Sequence, residues 1–358
     1  MLTACWARIA TKSLSRRTSS SRLRDTVKRF GASMGKGAKK RRQDDRGWDE
    51  DHPKGIHAGS YATEEHRKLF GVELPSFLLD SEPEEALERE DGGEKRVKRK
   101  VAFLLAYLGT QYGGMQMNEK QRTLQSEFEL ALALCHMLGQ RNFGTPSKYG
   151  WSTSGRTDKG VHACAQVCSA KILVLPSQTM DEIRQEINAK LPPDFQCLDV
   201  VRTTKGFCAH TQRDRVRYQY MIPSFALMDV ATTRAHFMAI GAHPKDRDGR
   251  DPLSKEEIAA FQQRVKSFRV SEEQLGKLSE TLKLYEGTHK FHNYSRRVSG
   301  TETRASRYIL SFQVETPVVV NDVEWIPTQV LGQSFLLNQI RKMVCMAMEV
   351  TRGATGQD

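Results

Sequence analysis

The chain contains no apolar run approaching the ~20 residues that a bilayer-spanning helix requires, so a membrane-embedded helical class is set aside. Cysteine is sparse: seven are scattered over 358 residues, an odd number that argues for reduced thiols over a disulfide framework. Cys164 and Cys168 stand close together, but a second pair at zinc-ligand spacing is missing, and the two read as small core residues. His289 and His292 are joined by no thiol or carboxylate pattern, so no metal site is expected. Acid is nearly absent from residues 1–43, where Asp25 faces 13 Lys and Arg. This Arg- and Ser-rich segment reads as a mitochondrial transit sequence, or as a basic tail that touches RNA nonspecifically.

The sequence contains three blocks of alternating charge. Residues 1–43 carry +12, residues 44–94 carry −11, and residues 95–358 carry +11. A basic folded part suits an acidic partner such as nucleic acid. The cluster Lys39, Lys40, Arg41 and Arg42 suits nuclear import or a phosphate patch. Translation from Met34 would remove the transit-like segment and leave this cluster exposed, so mitochondrial and nuclear forms are both expected. Residues 44–97 read as an acidic, unstructured linker.

Folded patterning begins abruptly at "VAFLLAYLGT", a buried strand bounded by charge and glycine. "TLQSEFELALALCHMLG" has helical spacing from Thr123 to Gly139, "AQVCSAKILVL" reads as a strand, and "SQTMDEIRQEINAKLP" as a helix ended by Pro192. "RVRYQYMIP" is a further strand. A polar insertion and charged helix fill 224–272, and "SEEQLGKLSETLKLYEG" opens with the capping pattern Ser271-x-x-Gln274. "RYILSFQVET" and "VEWIPTQVLG" suit a hairpin, and "SFLLNQIRKMVCMAMEV" an apolar helix. Strands and helices alternate twice, which predicts an α+β chain of two similar halves, 98–223 and 273–358.

Three sites stand out chemically. In "SGRTDKGVHA", Gly155 and Gly160 permit a tight turn, and in extended geometry Arg156 and Asp158 share a face. A guanidinium favours an ionised carboxylate, which suits a nucleophile or base. Spacing alone favours the plainer alternative, an Arg–Asp pair that pins a surface turn. Arg341 is flanked at helical spacing by Leu337, Val344 and Met348, so it must find a carboxylate, a phosphate or water. Tyr218 and Tyr220 alternate on one strand face beside Arg215 and Arg217, a pattern that suits base stacking and equally an ordinary amphipathic strand.

Taken together, "YLGTQYGGMQ", "SGRTDKGVHA", "RYQYMIPSFAL", "YEGTHKFHNYS" and "GQSFLLNQIRKMV" resemble, in order and over about residues 98–352, the motifs of TruA-type tRNA pseudouridine synthases in their eukaryotic form. The resemblance implies two RNA-recognition-like (ferredoxin-like) halves whose continuous antiparallel or mixed sheet surrounds a central cleft. It implies isomerisation of uridine to pseudouridine within RNA, with tRNA as the substrate and other RNAs left open, without cofactor or metal. Asp158 would be the catalytic carboxylate, Arg156 would hold the RNA open around the flipped nucleotide, Tyr218 would stack on the target base, and Arg341 would pair with Asp158. Lys159, Arg217, Lys290, Phe291, His292 and Lys342 would contact RNA. Asn338 and Cys345 stand where relatives commonly have His and Gly, and the chain stops at Asp358, short of a further helix and strand. That ending suggests a truncated chain, and a second reading as a catalytically impaired RNA-binding or tRNA-folding protein on the same fold.

Overall fold

The computed structural model describes residues 94–118, 121–230 and 255–355, with a few positions between 64 and 78. The transit-like segment, the Lys39–Arg42 cluster and most of the acidic linker and polar insertion lie outside the described residues. The chain divides into two units at Arg213/Asp214.

The first unit runs β1 (Val97–Tyr107), α1 (Leu124–Leu134), β2 (Ser152–Thr153), β3 (Ala163–Val174), α2 (Met180–Lys190), β4 (Phe195–Arg202). Its sheet has the order β2-β3-β1-β4, with every pairing antiparallel. β1 is central and buried because its apolar run, Val101–Tyr107, must be covered. Both helices begin at capping boxes, Thr123 with Ser126 and Thr179 with Glu182, which satisfy N–H groups that a first turn leaves unpaired. The core joins Val101, Phe103 and Leu105 to Phe128, Leu132, Ile183 and Ile187, and the Phe103 and Phe128 rings meet edge-to-face at 4.9 Å. Within the segment expected to be linker, Val72, Leu74 and Leu78 also pack on this core, because these apolar side chains gain by leaving water. α1 stops at Leu134, short of the expected Gly139, and His136 follows in the left-handed region at φ 53°. Cys168 is in the core, but Cys164 is exposed. A bulge between the Leu105 and Tyr107 pairings shifts the register of β3, so Cys164 loses the phase expected of it.

The second unit runs β5 (Val216–Pro223), α3 (Lys255–Ser267), α4 (Glu272–Lys283), β6 (Gly287–Lys290), β7 (Ser306–Val314), β8 (Val318–Val320), β9 (Val323–Gly332), α5 (Gln339–Thr351). Its sheet has the order β5-β9-β7-β6, with β8 on β9, again wholly antiparallel. The Ser271–Gln274 capping box closes as its sequence predicts. Ile222, Ile326, Val330 and Phe312 face Leu278 and Leu282 of α4 and Met343, Val344 and Ala347 of α5. The opposite sheet face carries Arg217, Gln219, Gln313 and Gln329.

The architecture is α+β with two antiparallel sheets. Among the described residues β4 pairs with β1 and β5 pairs with β9, each within its own unit. β5, which a division at residue 223 assigns to the first half, is a strand of the second sheet. The last helix begins at Gln339 and not at Ser334, because Asn338 has φ 60° and breaks the helical path before it.

Candidate functional site

The candidate residues fall in both units: Arg156, Asp158 and Lys159 in the first, and Arg217, Tyr218, Lys290, Phe291, His292, Arg341 and Lys342 in the second.

The Asp158 turn links β2 to β3. Its entry is held from β3: Gln166 Nε2 donates to Gly155 O and to Thr153 Oγ1, both at 2.6 Å, and Thr153 Oγ1 donates to Gly155 O at 2.8 Å. Arg213 also donates to Ser154 O. The middle is held from β1 and the loop after it. The Tyr107 hydroxyl lies 2.9 Å from buried Thr157 Oγ1, and Met115 N–H donates to Thr157 O at 3.0 Å. At the exit, Gly109 N–H donates to His162 Nδ1 at 3.1 Å, and partial burial keeps that imidazole below its ordinary range.

Two glycines make this approach possible. A Cβ on Gly109 would meet Val161 O at 2.0 Å, and one on Gly114, at φ +115°, would meet Thr157 O at 2.8 Å. Tyr112, 1% exposed, ties the same loop to the start of β4 by donating to Asp194 Oδ1 at 2.8 Å. Burial and that hydrogen bond hold its phenol far above the ordinary range. Gripped in this way, the turn presents Arg156 and Lys159 exposed and Asp158 half-buried. The supporting residues Tyr107, Gly109, Gly114, Tyr112 and Gln166 were not singled out from sequence. The glycines of "GTQYGGMQ" were the available signal.

In the second unit Tyr218 and Tyr220 share the core-side face of β5 and are partly packed, while Arg217 is exposed on the other face. Tyr218 meets Phe335 edge-to-face at 5.7 Å. Arg341 is exposed on α5. The expectation of an arginine enclosed by apolar neighbours is therefore corrected: Leu337 lies ahead of the helix and is itself 44% exposed, so no burial penalty compels a partner. Lys342 braces the loop after β6, donating to Asn293 O at 3.2 Å and Ser295 O at 2.9 Å. Lys290 is exposed and His292 half-buried, its ring against Gly300. Phe291 is 2% exposed and packs against Tyr294, Tyr285 and His289, so it belongs to the core and offers RNA no face.

Residues 281–358 match a family model described as tRNA pseudouridine synthase. That match contains Arg341, Lys342 and the 290–292 stretch and does not reach the Asp158 turn. The chain is 34% identical over 281 residues to the mouse (Mus musculus) pseudouridylate synthase 1 homolog, covering 76% of this chain and 58% of that protein. It is 33% identical over 256 residues to the human (Homo sapiens) pseudouridylate synthase 1 homolog, covering 71% and 52%. It is 29% identical over 329 residues to tRNA pseudouridine synthase 1 of Saccharomyces cerevisiae, covering 76% and 60%. The chain thus spans somewhat more than half the length of these relatives.

Proposed function

We propose that this chain, which belongs to the tRNA pseudouridine synthase family, isomerises uridine to pseudouridine in tRNA, with Asp158 as the carboxylate brought to the nucleotide. The C1′–N1 bond breaks, the base turns, and C1′ bonds to C5. The C5 proton is lost and N1 gains one, so the atoms balance without a co-reactant. The observation that carries the reading is the Asp158 turn. It is held at entry, middle and exit by β1, β3 and the glycine loop, yet leaves a half-buried carboxylate between two exposed cations. A turn that only closed a surface loop would not require two glycines to let a second loop reach its backbone.

In this reading Arg156 occupies the space of the flipped nucleotide, because such chemistry requires the base to leave the stack. Tyr218 stacks on the base, held by Phe335, and Arg341 pairs with Asp158. Lys159, Arg217, Lys290 and His292 meet RNA, and Lys342 shapes the loop that carries Lys290 and His292. The halves are proposed to be RNA-recognition-like and to frame a cleft. The first unit supports this with its βαββαβ order and strand order β2-β3-β1-β4. The second places β5 beside β9 and is the more divergent counterpart. Mitochondrial and nuclear forms separated by starts at Met1 and Met34 complete the proposal. Tagging each start separately tests the last point, and both products in one compartment would refute it.

The deciding experiment is Asp158→Ala. The variant is expected to bind tRNA like the parent and to release no tritium from tRNA labelled at uridine C5. Release at the parent rate would sink the assignment. Binding without release by the parent itself would favour the impaired RNA-binding alternative.

A further inference from the structure

A polar groove of about 290 Å³ lies in the second unit, lined by Thr288 of β6, Ser306, Arg307 and Tyr308 of β7, and Gln333 and Ser334 of the loop after β9. We propose that it takes one nucleotide of a bound RNA strand, a contact additional to the Asp158 site; this rests on the RNA-modifying reading above. Tyr308 projects opposite buried Ile309 and is 43% exposed, so an aromatic face is available for a base. Arg307 NH1 donates to Arg304 O at 2.6 Å and Ser306 O at 2.7 Å, which fixes a guanidinium at the rim. Thr288, Ser306, Gln333 and Ser334 supply hydroxyls and an amide that both donate and accept, as a ribose 2′-hydroxyl and a base edge require.

The lining includes no carboxylate, which disfavours a cation. The chain around it is basic: Lys290, Arg296, Arg297, Arg304 and Arg307 stand against Glu302 between residues 290 and 307. The volume is close to the ~300 Å³ lower end of small-ligand sites, enough for a base with part of its sugar. With Tyr308 as the sole aromatic or aliphatic lining, the groove gives a peptide side chain little to bury against.

The groove is built onto the segment that positions Tyr218. A Cβ on Gly332 would meet the Phe335 ring at 2.7 Å and Tyr308 O at 3.1 Å, and Gln333 N–H donates to Tyr308 O at 3.2 Å. Phe335, two residues beyond Gln333, is the ring against Tyr218. A nucleotide seated on Tyr308 would therefore lie beside the turn that carries Phe335.

The test measures tRNA affinity and turnover on the full chain. Tyr308→Ala is expected to weaken binding about ten-fold, the usual scale for losing one base–aromatic stack, raising KM with kcat nearly kept. Tyr308→Phe retains the ring and is expected to bind like the parent. Photocrosslinking of tRNA carrying 4-thiouridine to the parent is expected to mark residues 306–308 or 333–334 without any substitution. Parent-like binding by Tyr308→Ala, equal weakening by Tyr308→Phe, or no crosslink there would each overturn the proposal. Uridine monophosphate binding that depends on Tyr308 while tRNA affinity does not would also overturn it. Asp158→Ala controls for the underlying reading, since that reading fails on turnover and this one fails on binding.

Discussion

Gly114 is the residue on which the Asp158 turn closes. At φ +115° it occupies backbone space that side chains disfavour, and its missing Cβ lies 2.8 Å from Thr157 O. Gly114→Ala is therefore expected to push the turn off its loop, with stability falling by about 1–3 kcal/mol and kcat falling by a larger factor than RNA affinity. Gly160, at φ +77° with nothing within 4 Å of its virtual Cβ, supplies the control. Gly160→Ala is expected to cost only backbone strain, about 1–2 kcal/mol. Denaturant unfolding beside single-turnover rates separates the two, and equal kinetic effects would contradict the packing argument. At this scale the sequence reveals residues that advertise themselves. Asp158 stands in a run of Gly, Arg, Thr and Lys that no core requires. Tyr107 and Gln166, which grip that run, have no such signature, because a tyrosine and a glutamine on strands look like any others. Phe291 shows the reverse error: it lies between Lys290 and His292 and reads with them as a cleft residue, yet an apolar ring follows the ordinary rule and goes to the core.

Among elements, α1 has the least ordinary environment. It is buried on nearly every side, including Glu127 and Glu129 on its polar positions. Glu129 accepts from Gly144 N–H at 3.0 Å, and burial still pushes its carboxyl up to about 8, the nearby Tyr149 hydroxyl and the Gly144 hydrogen bond offsetting only part of that rise. The unfolded chain releases this proton near its ordinary 4.5, whereas the folded chain retains it until about 8. Across that window the folded state binds the extra proton, so this group makes stability fall as pH rises, by at most about 1.4 kcal/mol per unit. Glu129→Gln retains an acceptor for Gly144 and removes the charge. Its Tm is expected to exceed that of the parent by a margin that widens as pH rises through the window, in paired melts at both ends. A margin that does not change with pH would place the proton elsewhere. Helical periodicity located α1 and its Thr123 start correctly, since cap and spacing are local. It overran the end, because the left-handed His136 is set by packing. The late start of α5 at Gln339 has the same origin in Asn338, and it left Leu337 and Arg341 more exposed than a heptad-like count suggested.

For the whole molecule, charge is the property most fully legible without coordinates, because it is additive along the chain. Residues 95–358 carry +11, and the structure adds where part of that charge gathers: Lys290, Arg296, Arg297, Arg304 and Arg307 on the β6–β7 connection and its two strands. Arg304 is partly spent on Glu302, and its NH2 group donates to Arg297 O at 3.2 Å, so the connection is braced while Arg296 and Arg297 remain exposed. Exposed cations of this kind add affinity through displaced counterions, and the sign of the salt effect follows directly. The logarithm of the tRNA association constant is expected to fall linearly with the logarithm of salt concentration. Each phosphate neutralised contributes a slope of about −0.7 to −0.9, depending on whether the strand is single or paired there. Arg296→Gln with Arg297→Gln should make the slope shallower by roughly 1.4–1.8 and weaken binding similarly on different tRNA sequences, because phosphate contacts position without reading bases. Fluorescence titrations over a salt series decide it. An unchanged slope in the double variant would mean that these two arginines meet no phosphate, and that the basic charge engaging RNA lies on another part of the chain.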